Sequence, residues 1–151
     1  MLMAVAGCKL YIGGPVGDGM SHDLAITGSA EWAEIAEVES LGVLGITWST
    51  FAYTPESDQP EFSTVIKTGQ SGQTLQIILG IVPGDEGQQR LWQAQGDIED
   101  YAFRLDFPDG INRRLWRASV ISFSEVFDEA NSVMKIQADL QINSPITRET
   151  A

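Results

Sequence analysis

Two segments in the second half of the chain alternate between apolar and other residues, and this two-residue period constrains the fold more than any other feature. Successive side chains of a β-strand point to opposite faces, so each segment predicts a strand with one buried face. In residues 101–107 and 132–142 the apolar faces consist of Tyr101, Phe103, Leu105, Phe107, Met134, Ile136, Ala138, Leu140 and Ile142. The opposite faces consist of Ala102, Arg104, Asp106, Lys135, Gln137, Asp139 and Gln141.

Further strands are predicted before and between these segments. Residues 45–53, 62–68 and 74–79 are rich in β-branched and aromatic side chains, which favour extended structure. Residues 113–127 predict one long strand or a bent pair. The sequence GQSG at residues 69–72 predicts a turn.

The stretch from Tyr53 to Gln73 predicts a long hairpin or loop between core strands. It begins with a polar segment, residues 54–60, that contains two prolines. Proline removes a backbone donor and is rare inside a sheet. We therefore expect residues 54–72 to protrude from the domain.

One helix is predicted after residue 83. Asp85 and Gln88 have the spacing of a capping box, with Asp in place of Ser or Thr. Leu91 and Trp92 supply an apolar side, and Gly96 marks the end of a helix of two to three turns.

Residues 31–44 leave two structures open. Trp32, Ile35 and Val38 would share one face of a helix at a spacing of three. The alternative is a strand or bent edge that ends at Gly42. Periodicity alone favours the helix slightly.

Both ends of the chain are predicted to lack core strands. Residues 1–28 form a glycine-rich arm with the loop-like cluster at 13–19, and residues 143–151 form a polar tail. The predicted fold is therefore a single domain over residues 1–151, mainly β. It is an antiparallel β-sandwich or barrel with one short α-helix packed on it and a long inter-strand loop.

Charge limits the partners of this chain. The 151 residues carry a formal net charge of −12, so most of the surface should repel nucleic acid. The charge serves either solubility alone or a surface that DNA passes without sticking. No segment approaches the roughly 20 apolar residues of a membrane helix.

Catalytic chemistry is not indicated. The single histidine, His22, and the single cysteine, Cys8, exclude a closed zinc site made of Cys and His. Neighbouring carboxylates such as Asp97 and Glu99 are expected by chance among 21 acidic residues. We expect no enzyme activity, no catalytic residue, no cofactor and no metal.

The basic cluster consists of Arg113, Arg114 and Arg117 around Trp116. It could stack on nucleic acid. In so acidic a protein, ion pairing with a neighbouring subunit is the favoured alternative, which makes these four residues a possible subunit interface.

The order of these features resembles the major tail tube proteins of long-tailed, siphovirus-like bacteriophages. The resemblance covers about three quarters of the chain. It lies in WAEIAEVESLG (32–42), ITWSTFAYTPES (46–57), GQTLQIIL (72–79), PGDEGQQRL (83–91), YAFRLDFPDG (101–110) and WRASV (116–120). It also favours extended structure for residues 31–44.

The resemblance implies a structural virion protein. Copies would form hexameric rings that stack into the tail tube, with the inner sheets joined into one barrel around a lumen for genome delivery. The implied partners are further copies of the chain, the tape-measure protein, and the tail terminator and baseplate proteins. Phage DNA would pass without specific binding. The tube would be assembled in the bacterial cytoplasm and reside in the virion tail, without contact to a membrane.

The resemblance also suggests roles for particular residues. The loop that contacts the next ring would contain Tyr53, Thr54, Pro55, Glu56, Ser57, Asp58, Gln59 and Pro60. The possible lumen-facing residues are Arg104, Asp106, Lys135, Gln137, Asp139 and Gln141. Two alternatives remain: another tube-forming protein, such as a type VI secretion-like subunit, and a β-rich enzyme or small-ligand binder.

Overall fold

The protein is an antiparallel β-structure with one helix. The computed structural model describes residues 2–16, 32–54 and 63–150. The strands in these ranges are β1 (Lys9–Val16), β2 (Ala33–Glu34), β3 (Val38–Ser40), β4 (Ile46–Tyr53), β5 (Thr64–Gly72), β6 (Thr74–Gly80), β7 (Asp100–Asp106), β8 (Asn112–Val126), β9 (Lys135–Ile142) and β10 (Thr147–Thr150). The helix, α1, spans Glu86–Gln95. The predicted mainly β, antiparallel fold is confirmed.

One large sheet contains most of the strands, in the order β2-β1-β7-β8-β9-β6-β3, with β10 also paired to β8. A separate two-stranded ribbon consists of β4 and β5. Both end strands of the large sheet come from residues 33–40. Within this segment Ile35 N donates to Leu10 O, and Glu37 O accepts from Gly80 N. The segment therefore connects the two edges of the sheet without closing it into a barrel.

The core lies on one face of the large sheet. The largest fully buried side chains are Trp116, Tyr101, Phe103, Leu10, Ile12, Ile77, Leu79, Leu91, Leu140 and Ile142. Phe103 and Trp116 lie opposite each other on β7 and β8, with their rings stacked at 6.0 Å. The buried side chains include Tyr101, Phe103, Leu140 and Ile142 from the apolar sides of the alternating segments, whereas Leu105 and Phe107 are only partly buried.

Helix α1 covers the core and begins where the capping pattern predicts. Asp85 Oδ2 accepts hydrogen bonds from Gln88 N at 3.0 Å and from Ala36 N at 3.1 Å. The same carboxylate therefore caps the helix and fixes the connecting segment. Gly87 lies directly against the backbone of Glu34, where a Cβ atom would clash.

Residues 32–44 are extended, as the resemblance implied, and the helical alternative is wrong. Strands β2 and β3 satisfy backbone groups at the two sheet edges, which a helix could not do. Gly42 has a φ of +66° and lies against the backbone of Gln76, so the segment ends at a residue where only glycine fits easily.

The prediction of a glycine-rich arm without core strands is wrong for part of residues 1–28, because β1 runs through Gly13 and Gly14. Leu10 and Ile12 point into the core, and burial of these side chains outweighs the weak strand preference of glycine. A register shift between Ile12 and Pro15 absorbs the irregular residues. Residues 17–31 lie outside the described part of the chain.

Three smaller predictions also fail. The predicted turn at 69–72 belongs to β5, where Gly69 to Gly72 pair with Ser49 to Ile46. The polar tail contains β10, whose Glu149 lies opposite Arg113. Met134 is 53% exposed because β9 begins one residue later. In each case pairing with a neighbouring strand decided the structure.

Candidate assembly and lumen surfaces

The outward face of β6, β8 and β9 is an uncharged polar surface with few exceptions. We define this surface, the polar face, by Thr74, Gln76, Ser119, Ser122, Ser124, Gln137, Asp139 and Gln141. Their register puts Gln141 opposite both Thr74 and Ser119, and Asp139 opposite Gln76 and Ser122. Gln141 accepts from the Thr74 hydroxyl at 3.0 Å and donates to Gly72 O at 2.8 Å. Neighbouring polar side chains thus hold each other in place.

The same outward side of the sheet continues over β1 and β7 as a cluster of ion pairs. Arg104 lies with its guanidinium 4.1 Å from the centre of the Tyr11 ring and 5.1 Å from that of Trp32. Its Nε lies 3.0 Å from Asp106 Oδ1. The two atoms are not aligned as a hydrogen bond, so the contact is mainly electrostatic. The arginine is fixed by two aromatic rings and one carboxylate.

Two further arginines and one lysine on this side also have carboxylate partners within the chain. Arg113 lies 4.0 Å from Asp106 and 3.8 Å from Glu149. Arg117 Nε lies 3.2 Å from Asp100, and its Nη2 donates to Asn143 O. At the far end of β9, Lys135 lies 3.0 Å from Glu39. We call Arg104, Asp106, Arg113, Glu149, Arg117 and Asp100 the ion-pair cluster.

The predicted interface residues separate in the structure. Trp116 is 1% exposed and stacks on Phe103 in the core, so it cannot touch a neighbouring subunit without unfolding, and the prediction is corrected for this residue. Alternation puts Trp116 and the neighbouring arginines Arg113 and Arg117 on opposite faces of β8. Arg114 lies over the Phe107 ring at 4.5 Å, and burial together with the charge of Arg148 lowers its pKa.

The β4–β5 ribbon, which we call the hairpin, carries apolar side chains into solvent. Trp48, Phe51, Tyr53, Val65 and Ile66 are each at least 40% exposed. Phe51 and Ile66 lie opposite each other, so one side of the ribbon has a continuous apolar patch. Of the predicted ring-contact loop, Tyr53 and Thr54 lie at the end of β4, and residues 55–60 lie outside the described residues.

A groove that the sequence did not predict lies between the start of the chain and the segment after β3. It has a volume of about 760 Å³. Its lining includes Leu2, Met3, Val5, Cys8, Leu41, Val43, Leu105 and Phe107. Burial raises the pKa of the Cys8 thiol. The apolar start of the sequence was the available signal, but it gives no indication of which segment lies opposite.

The described residues meet the requirements of neither a metal site nor a membrane-spanning helix. No group of three or more His, Cys, Asp or Glu residues in those ranges could hold a metal ion. No helix there is long and apolar enough to cross a membrane. His22 lies outside the described residues.

Comparison with known proteins adds a fold likeness over nearly the whole chain. The tail of the empty gene transfer agent particle, solved with C6 symmetry, matches with a TM-score of 0.72 at 14% identity, covering 99% of this chain and 100% of that one. The SPP1 tail tube matches with a TM-score of 0.67 at 11% identity, covering 99% of this chain and 80% of that one. A chain of the anti-feeding prophage baseplate matches with a TM-score of 0.69 at 9% identity over 98% and 96%.

The chain has the fold of tail tube proteins. The likeness lies in structure, since no protein-family model and no curated protein matches the sequence. The likeness extends over 99% of this chain for both the gene transfer agent tail and the SPP1 tail tube.

Proposed function

We propose that this protein is a structural subunit whose copies assemble into the tube of a phage or phage-like tail. The observation that carries the proposal is the fold likeness to the SPP1 tail tube and the gene transfer agent tail over 99% of the chain. No chemistry is required of such a subunit, and we propose that it is not an enzyme.

We propose that copies form six-membered rings that stack. The gene transfer agent tail of the same fold has C6 symmetry. The large sheet ends in the short strands β2 and β3, and within the described residues β4 and β5 of the hairpin pair only with each other. Strand edges with unpaired backbone groups favour addition of another chain, and head-to-tail addition closes into a ring or extends as a filament.

We propose that the hairpin, including Tyr53 and Thr54, contacts the next ring together with residues 55–60. A two-stranded ribbon is marginally stable alone, and exposed apolar patches mark protein contacts. Phe51, Tyr53 and Ile66 offer such a patch on one side of the ribbon. Contact with a second copy would cover it.

We propose that the polar face and the ion-pair cluster surround the lumen, with Arg104, Asp106, Lys135, Gln137, Asp139 and Gln141 among the lining residues. Amide and hydroxyl groups keep water at such a wall. DNA would pass without specific binding, which the net charge of −12 supports. Of the predicted interface, we propose Arg114 as a contact with a neighbouring copy, whereas Arg113 and Arg117 already have carboxylate partners in the same chain.

The other partners follow from the place of a tube in a tail. We propose that the tube meets a tape-measure protein inside and terminator and baseplate proteins at its ends, forms in the bacterial cytoplasm and resides in the virion. Similar folds occur in a tube-terminating cap and in a sheath/tube terminator.

Negative-stain microscopy of the purified chain tests the proposal. We expect rings or tubes about 100 Å wide, a width estimated from six domains of this size. Only dispersed monomers at every protein and salt concentration would contradict it.

The tube of a contractile injection system is a second candidate. A sheath–tube complex of an extracellular contractile injection system matches with a TM-score of 0.67 at 13% identity. The two candidates differ in the particle to which the tube belongs. Particles isolated from producing cells would carry a DNA-filled head in the first case and a headless tail in the second.

A further inference from the structure

Three arginines on the outward side of the sheet have carboxylate partners within the same chain. Arg104, Arg113 and Arg117 each lie within 4.0 Å of a carboxylate of Asp106, Glu149 or Asp100. Their side chains are only 15%, 33% and 26% exposed. A phosphate that approaches this side of the sheet therefore meets arginines that already have partners.

From this arrangement we propose that the ion-pair cluster prevents the sheet from holding polyanions, and that Asp106 is the residue on which this depends. The inference rests on the proposed function, because it names the phosphate backbone of DNA as what passes the face. Asp106 is central because it is the one carboxylate near both Arg104 and Arg113.

Removing the Asp106 charge should leave Arg104 in place. The guanidinium is held between Tyr11 and Trp32, 4.1 and 5.1 Å from their ring centres, so it does not need the carboxylate for its position. Its charge would then be free for a phosphate. Arg113 keeps a second carboxylate, Glu149, at 3.8 Å. Full release of both arginines therefore requires loss of Asp106 and Glu149 together.

The alternative is that the arginines serve the fold alone and that overall acidity keeps DNA away. On that view any two carboxylates would be equivalent. Asp139 on the polar face and Asp128 after β8 offer a matched pair, since no ion pair of either is found among the described residues. Losing their charges changes the net charge equally but frees no arginine.

The test measures binding of a fluorescent double-stranded DNA oligonucleotide to the full-length subunit, by anisotropy, at protein concentrations below assembly. We compare Asp106→Asn, Asp106→Asn/Glu149→Gln and the control Asp139→Asn/Asp128→Asn across a salt series. For the Asp106/Glu149 double variant we expect about tenfold tighter binding at 50 mM salt than for the control. We also expect a log–log salt slope steeper by about 2, roughly one for each arginine that contacts a phosphate. Asp106→Asn alone should fall between.

A further variant makes the result specific to the arginines. Adding Arg104→Gln and Arg113→Gln to the Asp106/Glu149 variant should return DNA binding to that of the unchanged protein. Equal binding by the two carboxylate double variants, or gain of binding that survives loss of both arginines, would overturn the inference. Circular dichroism confirms that each variant is folded, and Asp106→Asn supplies the test if the double variant is not.

Assembly is measured separately on the same proteins by negative-stain microscopy. Tubes together with equal DNA binding by the two double variants would reject the inference and leave the proposed function standing. If the Asp106/Glu149 variant gains DNA binding but the unchanged protein forms no tubes, the proposed function is rejected instead.

Discussion

At the scale of single residues, Gln88 shows how one polar side chain holds three parts of the chain together. It is 5% exposed. Its Oε1 accepts from Val82 N at 2.9 Å, and its Nε2 donates to Ala36 O at 3.0 Å and Gly80 O at 2.8 Å. The helix, the connecting segment and the end of β6 therefore share one amide group.

Replacing Gln88 by Leu should destabilise the domain strongly. Three partly buried backbone groups would lose their partner, and an unpaired buried group costs about 1–3 kcal/mol. We expect the free energy of unfolding in urea to fall by about 3 kcal/mol in total. Gln89→Leu is the matched control, because Gln89 is exposed and its side-chain amide donates to Pro83 O. Similar losses for both variants would contradict the role given to Gln88.

Asp109 gives a pH-dependent effect in the turn between β7 and β8. Hydrogen bonds from the backbone N–H groups of Asn112 and Ile111 hold the pKa of the Asp109 carboxyl below its usual range. Because the folded pKa is lowered, the carboxylate stabilises the turn above the unfolded pKa of about 3.9, and this contribution disappears as pH falls through the folded pKa.

We therefore expect the amide signals of Ile111 and Asn112 in NMR spectra to titrate with a midpoint below about 3.9. Asp109→Asn keeps the side-chain acceptor and should remove this titration while the turn remains. Asp109→Ala should remove both the titration and the hydrogen bonds that hold the turn. A midpoint at or above the value of an unfolded aspartate would contradict the prediction.

How much could be predicted from the sequence depended on whether the signal was local. The spacing of Asp85 and Gln88 predicts the start of the helix, and alternation predicts that Phe103 and Leu140 point inward. Trp116 was misassigned because its arginine neighbours suggested a surface, whereas the β7 register puts it opposite Phe103. The partners of Arg104 were also missed, since Tyr11 and Trp32 are distant in sequence.

At the scale of elements, the hairpin is separable from the large sheet. Gln73 N donates to Gly45 O at 3.0 Å, so the two ends of the hairpin lie side by side. Among the described residues, Gly72 lies against the backbone of Ile142 and accepts from Gln141, and β5 continues into β6 through Gln73. The exposed apolar side chains of the hairpin add little to the core.

Surface changes on the hairpin should therefore affect assembly and leave folding unchanged. We expect Phe51→Ser/Ile66→Ser to unfold within about 1 kcal/mol of the unchanged protein, because both side chains are 44% exposed or more. Rings should no longer stack in negative-stain images. Ile98→Ser is the control, since Ile98 is 97% exposed on another loop. Normal tubes from the hairpin variant would exclude the hairpin as the ring contact.

Element boundaries were harder to predict than element types. Strand β1 was missed because glycine and proline at 13–15 conceal the inward pair Leu10 and Ile12. The sequence GQSG has turn composition, yet pairing with β4 keeps it extended. In both cases the deciding hydrogen bonds come from a strand that local composition does not reveal.

At the scale of the whole molecule, the net charge and the exposed apolar surface oppose each other in assembly. Each copy carries −12, so copies repel, while burial of hairpin side chains attracts them. Salt screens the repulsion, with a Debye length of about 10 Å at 0.1 M. Apolar contact is not weakened by such screening.

Assembly should therefore become easier as salt rises. We expect the protein concentration needed for ring formation to fall several-fold between about 20 and 500 mM salt, as measured by sedimentation velocity. The Debye length is about 20 Å at the lower salt concentration and about 4 Å at the higher one. Asp139→Asn/Asp128→Asn, with two fewer charges, should need less salt. The opposite trend would mean that ion pairs between copies hold the rings. Within the ion-pair cluster, Arg113 and Arg117 could form such pairs only by leaving Asp106, Glu149 and Asp100, which already lie within 4.0 Å of them in the single chain.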